Sequence, residues 1–194
     1  TVKLDELVAI AFAVETKVEG VTDASEALTH FFFDRLRVMM REAGYSAQEV
    51  DAVLAKHDTD LAQTPRKLAA VHKFMQLPES ASLAAANKRI ANILKKSADV
   101  QTGEVDDALL VEEAEKKLYD VLGDHEPIAK LFFEKGEYEG MLATLTPLKD
   151  PVDAFFADVM VNSEDEKLRL NRLALLKRLY ALMNRVAELS RLAI

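Results

Sequence analysis

Six glycines and five prolines are nearly all that this 194-residue chain offers for breaking a helix, and they fall at the ends of segments. Between them Leu, Ala, Glu, Lys and Arg dominate, and apolar residues recur at spacings of three and four. That period places apolar side chains on one face of an α-helix and makes an alternating strand pattern rare. The chain is therefore expected to be all-α, a helical bundle. The expected helices are 2–18, 24–43, 46–56, 64–76, 79–98, 106–122, 126–135, 137–145, 151–161 and 164–192. Only Val100 to Val105 could read as a strand, and it is too short to matter.

Local signals mark the helix ends. Ser46 with Glu49 and Ser163 with Glu166 read as capping boxes. Thr64-Pro65 and Asp150-Pro151 each read as an N-cap followed by proline at the first helical position. Gly44, Gly123 and Gly136 read as C-terminal stops. Pro78 interrupts the pattern before a long helix, so a boundary is expected there, dividing 1–78 from 79–194. Residues 101–104, QTGE, are the segment best suited to a mobile loop.

Composition narrows the function classes. Apolar residues make up 49% and charged residues 30%, as in ordinary globular proteins. The longest apolar runs fall far short of a membrane span. No signal-peptide pattern opens the chain, and a start at Thr1 inside an amphipathic run reads as a piece of a longer polypeptide. Cysteine is absent, which fits a reducing compartment and a cytoplasmic location. His30, His57, His72 and His125 lack metal-ligand spacing, so no metal site is expected. His72, among Ala69, Ala70 and Val71, reads as a hydrogen-bonded core or surface histidine. Glu112 and Glu113 sit on a charged helical face. No phosphate-cradling glycine loop and no nucleophile elbow occurs. No catalytic residue is expected in this chain.

The net charge of −8 hides a pattern. Residues 84–103 hold four cations and one anion. Residues 104–166 hold five lysines against 18 carboxylates. Residues 167–194 hold seven cations against Glu188 alone. If the first and last of these segments pack side by side, an acidic domain carries one basic face suited to a polyanion. The alternative is that these are ordinary solvated helix faces, with cations complementing helix C-termini. Arginine and lysine without aromatic stacking partners nearby are a weak nucleic-acid signal.

Turning AAANKRIANILKK (84–96) at about 100° per residue sets Leu83, Ala86, Ile90, Ile93 and Leu94 on a core stripe. Lys88, Asn92, Lys95 and Lys96 fall on the opposite side. Asn87 falls at the stripe's edge, where it either ties down a neighbouring loop or points into a groove. In the last helix Leu168, Leu175, Leu179, Leu182, Met183 and Val186 share a stripe, while Leu170 and Leu173 face the other way, so its first turns are sandwiched. Arg172 falls on the stripe and needs a buried carboxylate. Asp153 and Asp158 are the candidate partners, which makes these three structural residues. Arg169, Lys177, Arg178 and Arg185 are the expected exposed cations.

AAANKRIANILKK resembles the opening helix of the DALR-type anticodon-binding domain, shared by arginyl-tRNA synthetase and the bacterial glycyl-tRNA synthetase β subunit. FFDRLR (32–37), PVDAFFADVMV (151–161), LRLNRLALLKRL (168–179) and the ending VAELSRL (186–192) favour the second family. These stretches lie in the same order in the C-terminal part of that β subunit, and the resemblance covers essentially the whole chain. One departure is Asn162, where the family usually shows methionine. The resemblance implies that 79–194 is a DALR-like bundle that holds the anticodon end of tRNA-Gly, preceded by a helical segment, 1–78. It implies that glycine is activated elsewhere, with ATP and Mg, on an α subunit. This chain, itself non-catalytic and without a cofactor, would be part of a glycine–tRNA ligase and work with that α subunit and the rest of the β subunit, not with DNA or a membrane. Asn87, Lys88, Arg89, Asn92, Lys95, Lys96, Arg169, Lys177, Arg178 and Arg185 have the chemistry to contact tRNA; that set follows from helical geometry and charge. The rivals are a protein–protein scaffold and the corresponding domain of arginyl-tRNA synthetase.

Overall fold

The computed structural model describes residues 3–15 and 23–193. Among them no strand occurs, in line with the all-α expectation. The helices are α1 (Leu4–Glu15), α2 (Ser25–Glu42), α3 (Ala47–Leu54), α4 (Thr64–Phe74), α5 (Ser80–Lys96), α6 (Glu113–Glu134), α7 (Tyr138–Ala143), α8 (Lys149–Asp158) and α9 (Glu166–Met183). Short 3-10 turns lie at Leu61–Gln63, Asp107–Leu109, Thr146–Leu148 and Leu189–Leu192.

Helix α5 lies at the centre, against α8, α9 and the C-terminal turn Leu189–Leu192. Helix α6 packs on α7, α8 and α9, and α4 packs on α7. The N-terminal helices follow as a chain of neighbours, α1 on α2, α2 on α3 and α3 on α4. One contiguous apolar core runs from Leu4 through Leu68, Leu83 and Leu118 to Leu192. The backbone N–H of Glu188 donates to the carbonyl of Ala52 (2.8 Å), tying the end of the chain to α3.

Several end signals act as the sequence suggests. Ser46 Oγ accepts from the Glu49 N–H (3.2 Å) and Glu49 Oε2 accepts from the Ser46 N–H (2.7 Å), a complete capping box. Gly44 (φ +101°) and Gly136 (φ +69°) end α2 and α6 in the left-handed region that only glycine enters freely. Others act differently. Asp165, not Ser163, caps α9; its Oδ1 accepts from the N–H groups of Lys167 (2.8 Å) and Leu168 (3.2 Å). Thr64 and Asp150 lie inside the first turns of α4 and α8 and cap neither.

Three helix boundaries differ clearly from expectation. The helix expected from 106 begins only at Glu113, after a separate 3-10 turn at Asp107–Leu109, because Glu112 and Glu115 form the capping box that starts α6. Helix α6 runs through Gly123 and Pro127 without a break. Glycine costs about 1 kcal/mol and proline about 3 kcal/mol inside a helix. Beyond the proline, Ala129 is fully buried and Phe132 and Phe133 pack against the core, and that packing favours continuity. The last helix stops at Met183 instead of continuing to 192. Asn184 turns the chain there: its Nδ2 donates to the Tyr180 carbonyl (2.8 Å) and its Oδ1 accepts from the Leu189 N–H (2.8 Å). The turn brings Val186, Leu189 and Leu192 into the core, which a straight helix could not do.

Candidate nucleic-acid interface

Helix α5 is amphipathic as its sequence indicates. Leu83, Ala84, Ala86 and Ile90 are buried, Ile93 and Leu94 are half-buried, and Lys88, Arg89, Asn92, Lys95 and Lys96 are exposed. Asn87 belongs to neither the groove nor a loop tether. It is 0% exposed, and neither its Oδ1 nor its Nδ2 has a hydrogen-bond partner among the described residues. Its phase on the helix is about 60° from the stripe's centre line, and neighbouring elements close over it. Asn87 is therefore removed from the set that can touch a ligand.

Arg89 is exposed, but its guanidinium lies over an aromatic ring of α8. Its Cζ is 4.2 Å from the centroid of the Phe156 ring. Ser82, Ala85, Ala86, Asp153 and Ala157 complete a shallow groove of about 400 Å³ around this pair. Small residues on both helices leave the planar group accessible. Phe156 supplies the aromatic partner that the charge pattern lacked; it stands in PVDAFFADVMV, and only the packing of α5 on α8 places it beside Arg89.

Helix α9 is buried on nearly all sides, including Leu173, Leu175, Leu176 and Leu179. Arg172 is buried, as expected, but its carboxylate partner is neither Asp153 nor Asp158. Arg172 Nε is 2.6 Å from Glu115 Oε1, and Nη1 donates to the Met160 carbonyl (2.9 Å). Glu115 comes from α6, which faces α9 directly. Asp153 instead accepts from Ser82 Oγ (3.0 Å) and pairs with Lys149 (3.2 Å), and Asp158 is exposed. Beside Arg172, buried Asn171 pins the loop between α5 and α6: its Oδ1 accepts from the Asp106 N–H (2.8 Å) and its Nδ2 donates to the Asp106 carbonyl (3.0 Å).

The α9 cations are less free than their spacing suggests. Arg178 is half-buried and paired with Glu126 of α6 (Nη2–Oε2 2.8 Å), with its Cζ 5.2 Å from the Tyr119 ring. Arg169 is half-buried and lies 3.6 Å from Glu166. Arg185 is half-buried. Lys177 is exposed and donates to the Val100 carbonyl (3.3 Å), just beyond the end of α5. Tyr119, Lys177 and Arg178, with Thr102, Gly103 and Val105, line a second, more polar cleft of about 660 Å³. The Asp107 carboxylate beside Tyr119 holds its phenol above the usual tyrosine range. Among the described residues no cluster of His, Asp and Glu could hold a metal ion, and no helix is long and apolar enough to cross a membrane.

The model of the DALR anticodon binding domain matches residues 83–189, more than half of the chain, from the first turn of α5 to the C-terminal turn. The chain belongs to the DALR anticodon-binding family. Within that family, similar proteins include the glycine–tRNA ligase β subunit of Leptothrix cholodnii, 54% identical over 181 residues, covering 93% of this chain and 25% of that protein. The β subunit of Acidovorax sp. strain JS42 is 52% identical over 185 residues, 95% of this chain and 26% of the relative. That of Dechloromonas aromatica is 50% identical over 190 residues, 98% and 27%. The chain thus spans about a quarter of the length of these relatives, and matches their C-terminal part. The DALR match opens on AAANKRIANILKK, the stretch that carries the exposed cations of α5.

Proposed function

We propose that this chain is the anticodon-recognising, tRNA-binding region of a glycine–tRNA ligase β subunit and supports the attachment of glycine to tRNA-Gly. The observation that carries this reading is the exposed face of α5, with Lys88, Arg89, Asn92, Lys95 and Lys96 together on a chain of net charge −8. An acidic protein repels nucleic acid except where such a face is offered. The lysines suit phosphates, which fix register without reading sequence. Arg89 and Asn92 suit unstacked anticodon bases, whose edges accept and donate hydrogen bonds and whose planes stack on guanidinium and aromatic groups. The Arg89–Phe156 cation–π contact holds one such guanidinium in place. Lys177 extends the face past the end of α5, while Arg169, Arg178 and Arg185 contribute less, being half-buried or already paired.

In this reading 79–194 is the binding unit and 1–78 the helical segment leading into it. Glycine activation, with its ATP and Mg, belongs to an α subunit outside this chain. The sequence has no phosphate-cradling glycine loop, which supports placing nucleotide chemistry outside it. The partners are then tRNA-Gly, the α subunit and the remainder of the β subunit, in the cytoplasm.

Two measurements on the purified chain test the reading. It should bind tRNA-Gly with an affinity that falls steeply with salt, the logarithmic slope growing by roughly 0.7–0.9 per phosphate contact. It should show no glycine-dependent pyrophosphate exchange. Salt-insensitive binding would favour a protein–protein scaffold, and measurable exchange would place catalysis inside the chain.

A further inference from the structure

Helix α1, LDELVAIAFAVE, is apolar almost all round, with charges only at Asp5, Glu6 and Glu15. Helices of that kind are normally enclosed on every side. Yet α1 buries Leu4 and Val8 against the rest of the protein and leaves Leu7, Ile10 and Val14 more than half exposed. These three share one side of the helix, within about 60°. On its neighbour α2, Leu28, Phe31, Phe32, Val38 and Met39 are also exposed, along a stripe roughly 120° wide that contains a single cation, Arg35. Between the two helices lies an apolar groove of about 430 Å³ lined by Leu4, Leu7, Val8, Ala11, Leu28 and Phe32. An apolar surface of this extent marks a contact site.

One arginine cannot hold a phosphate backbone, so the face does not suit nucleic acid, and its apolar side chains suit an apolar protein surface. The relatives are about four times as long as this chain, which matches their C-terminal part. In these relatives most of the polypeptide lies ahead of the part matched by α1. We propose that the preceding part of the same polypeptide packs on the exposed faces of α1 and α2 and fills the groove between them. The α1–α2 pair is then the seam joining the anticodon-binding region to the body of the β subunit, at the opposite end of the chain from the DALR match. This rests on the β-subunit reading above, but makes no use of tRNA binding.

The chain has no cysteine, so single replacements report cleanly. Ile10→Cys, Phe31→Cys and Met39→Cys are placed in the 194-residue chain and in the complete β subunit, with Lys117→Cys on exposed α6 as reference. Maleimide labelling rates are read at each site by mass spectrometry, and tRNA affinity is measured separately on the same samples. The expected result is rapid labelling at all four sites in the 194-residue chain. In the complete subunit, labelling at positions 10, 31 and 39 should slow at least tenfold while position 117 is unchanged. Equal rates in both proteins would overturn the proposal. So would protection that appears only when the α subunit is added, or protection already present in the 194-residue chain together with a dimer in sedimentation. Loss of tRNA binding with the labelling pattern intact would sink the binding reading and leave this one standing.

Discussion

Arg172 of α9 and Glu115 of α6 form a buried ion pair, Nε to Oε1 at 2.6 Å, with the side chains 6% and 0% exposed. Glu115 also accepts from the backbone N–H groups of Val111 (3.0 Å) and Glu112 (2.8 Å). One carboxylate thus fixes the start of α6 and its contact with α9. Removing either partner leaves a buried charge alone, which costs about 3–5 kcal/mol. Arg172→Ala and Glu115→Ala should each destabilise the fold by that amount in urea denaturation. The double variant should lose less than the sum, since the second change removes the orphaned charge. An unchanged midpoint for Arg172→Ala would contradict the pair.

That Arg172 is buried could be read from its phase on the last helix; its partner could not. The sequence favours Asp153 and Asp158 because they precede α9 closely, whereas Glu115 is 57 residues away and meets α9 only through the packing of α6. The same limit explains Gly123, a plausible helix stop by local propensity that the packing of Ala129, Phe132 and Phe133 beyond it overrides. Asn87 shows the other side of it. Helical phase places it at the edge of the core stripe, and only the neighbouring elements decide that it is enclosed. The cationic face of α5 was legible because a solvated face depends on the helix alone. Phe156, which joins that face from α8, was not.

Tyr180 donates its hydroxyl to Glu188 Oε1 (2.5 Å), holding the turn that follows Asn184. Burial, with the Glu188 carboxylate beside it, pushes the Tyr180 phenol up to about 12, from an ordinary value near 10. A raised folded-state value means that the neutral form is favoured by folding. This contribution to stability is complete below about pH 10 and is lost as the pH rises toward 12. Denaturation midpoints of the wild-type chain should therefore fall between those limits. Tyr180→Phe should flatten that fall and remove the last component of the tyrosinate absorbance titration. An unaltered pH profile in Tyr180→Phe would contradict the assignment.

Lys88 and Lys95 are exposed on α5 and suited to phosphates. Lys88→Glu with Lys95→Glu should weaken binding to every tRNA by a similar factor and flatten the salt slope. Far-UV circular dichroism should show the fold intact, because neither side chain is in the core. Unchanged affinity and slope would mean that α5 presents only a solvated face.

In the function proposed above, the groove around Arg89 and Phe156 takes the anticodon bases. The most direct measurement is the affinity of this chain for the tRNA-Gly anticodon stem-loop and for one with altered anticodon bases, at a stated salt concentration, with Arg89→Ala, Asn92→Ala and Phe156→Ala alongside the wild type. The wild-type chain should prefer the cognate loop, and the replacements of Arg89 and Asn92 should narrow the preference by about 1–3 kcal/mol for each base edge that is no longer read. Phe156→Ala should narrow it as well by releasing the Arg89 guanidinium. Equal affinity of the wild-type chain for both stem-loops, or a preference untouched in all three variants, would contradict the claim.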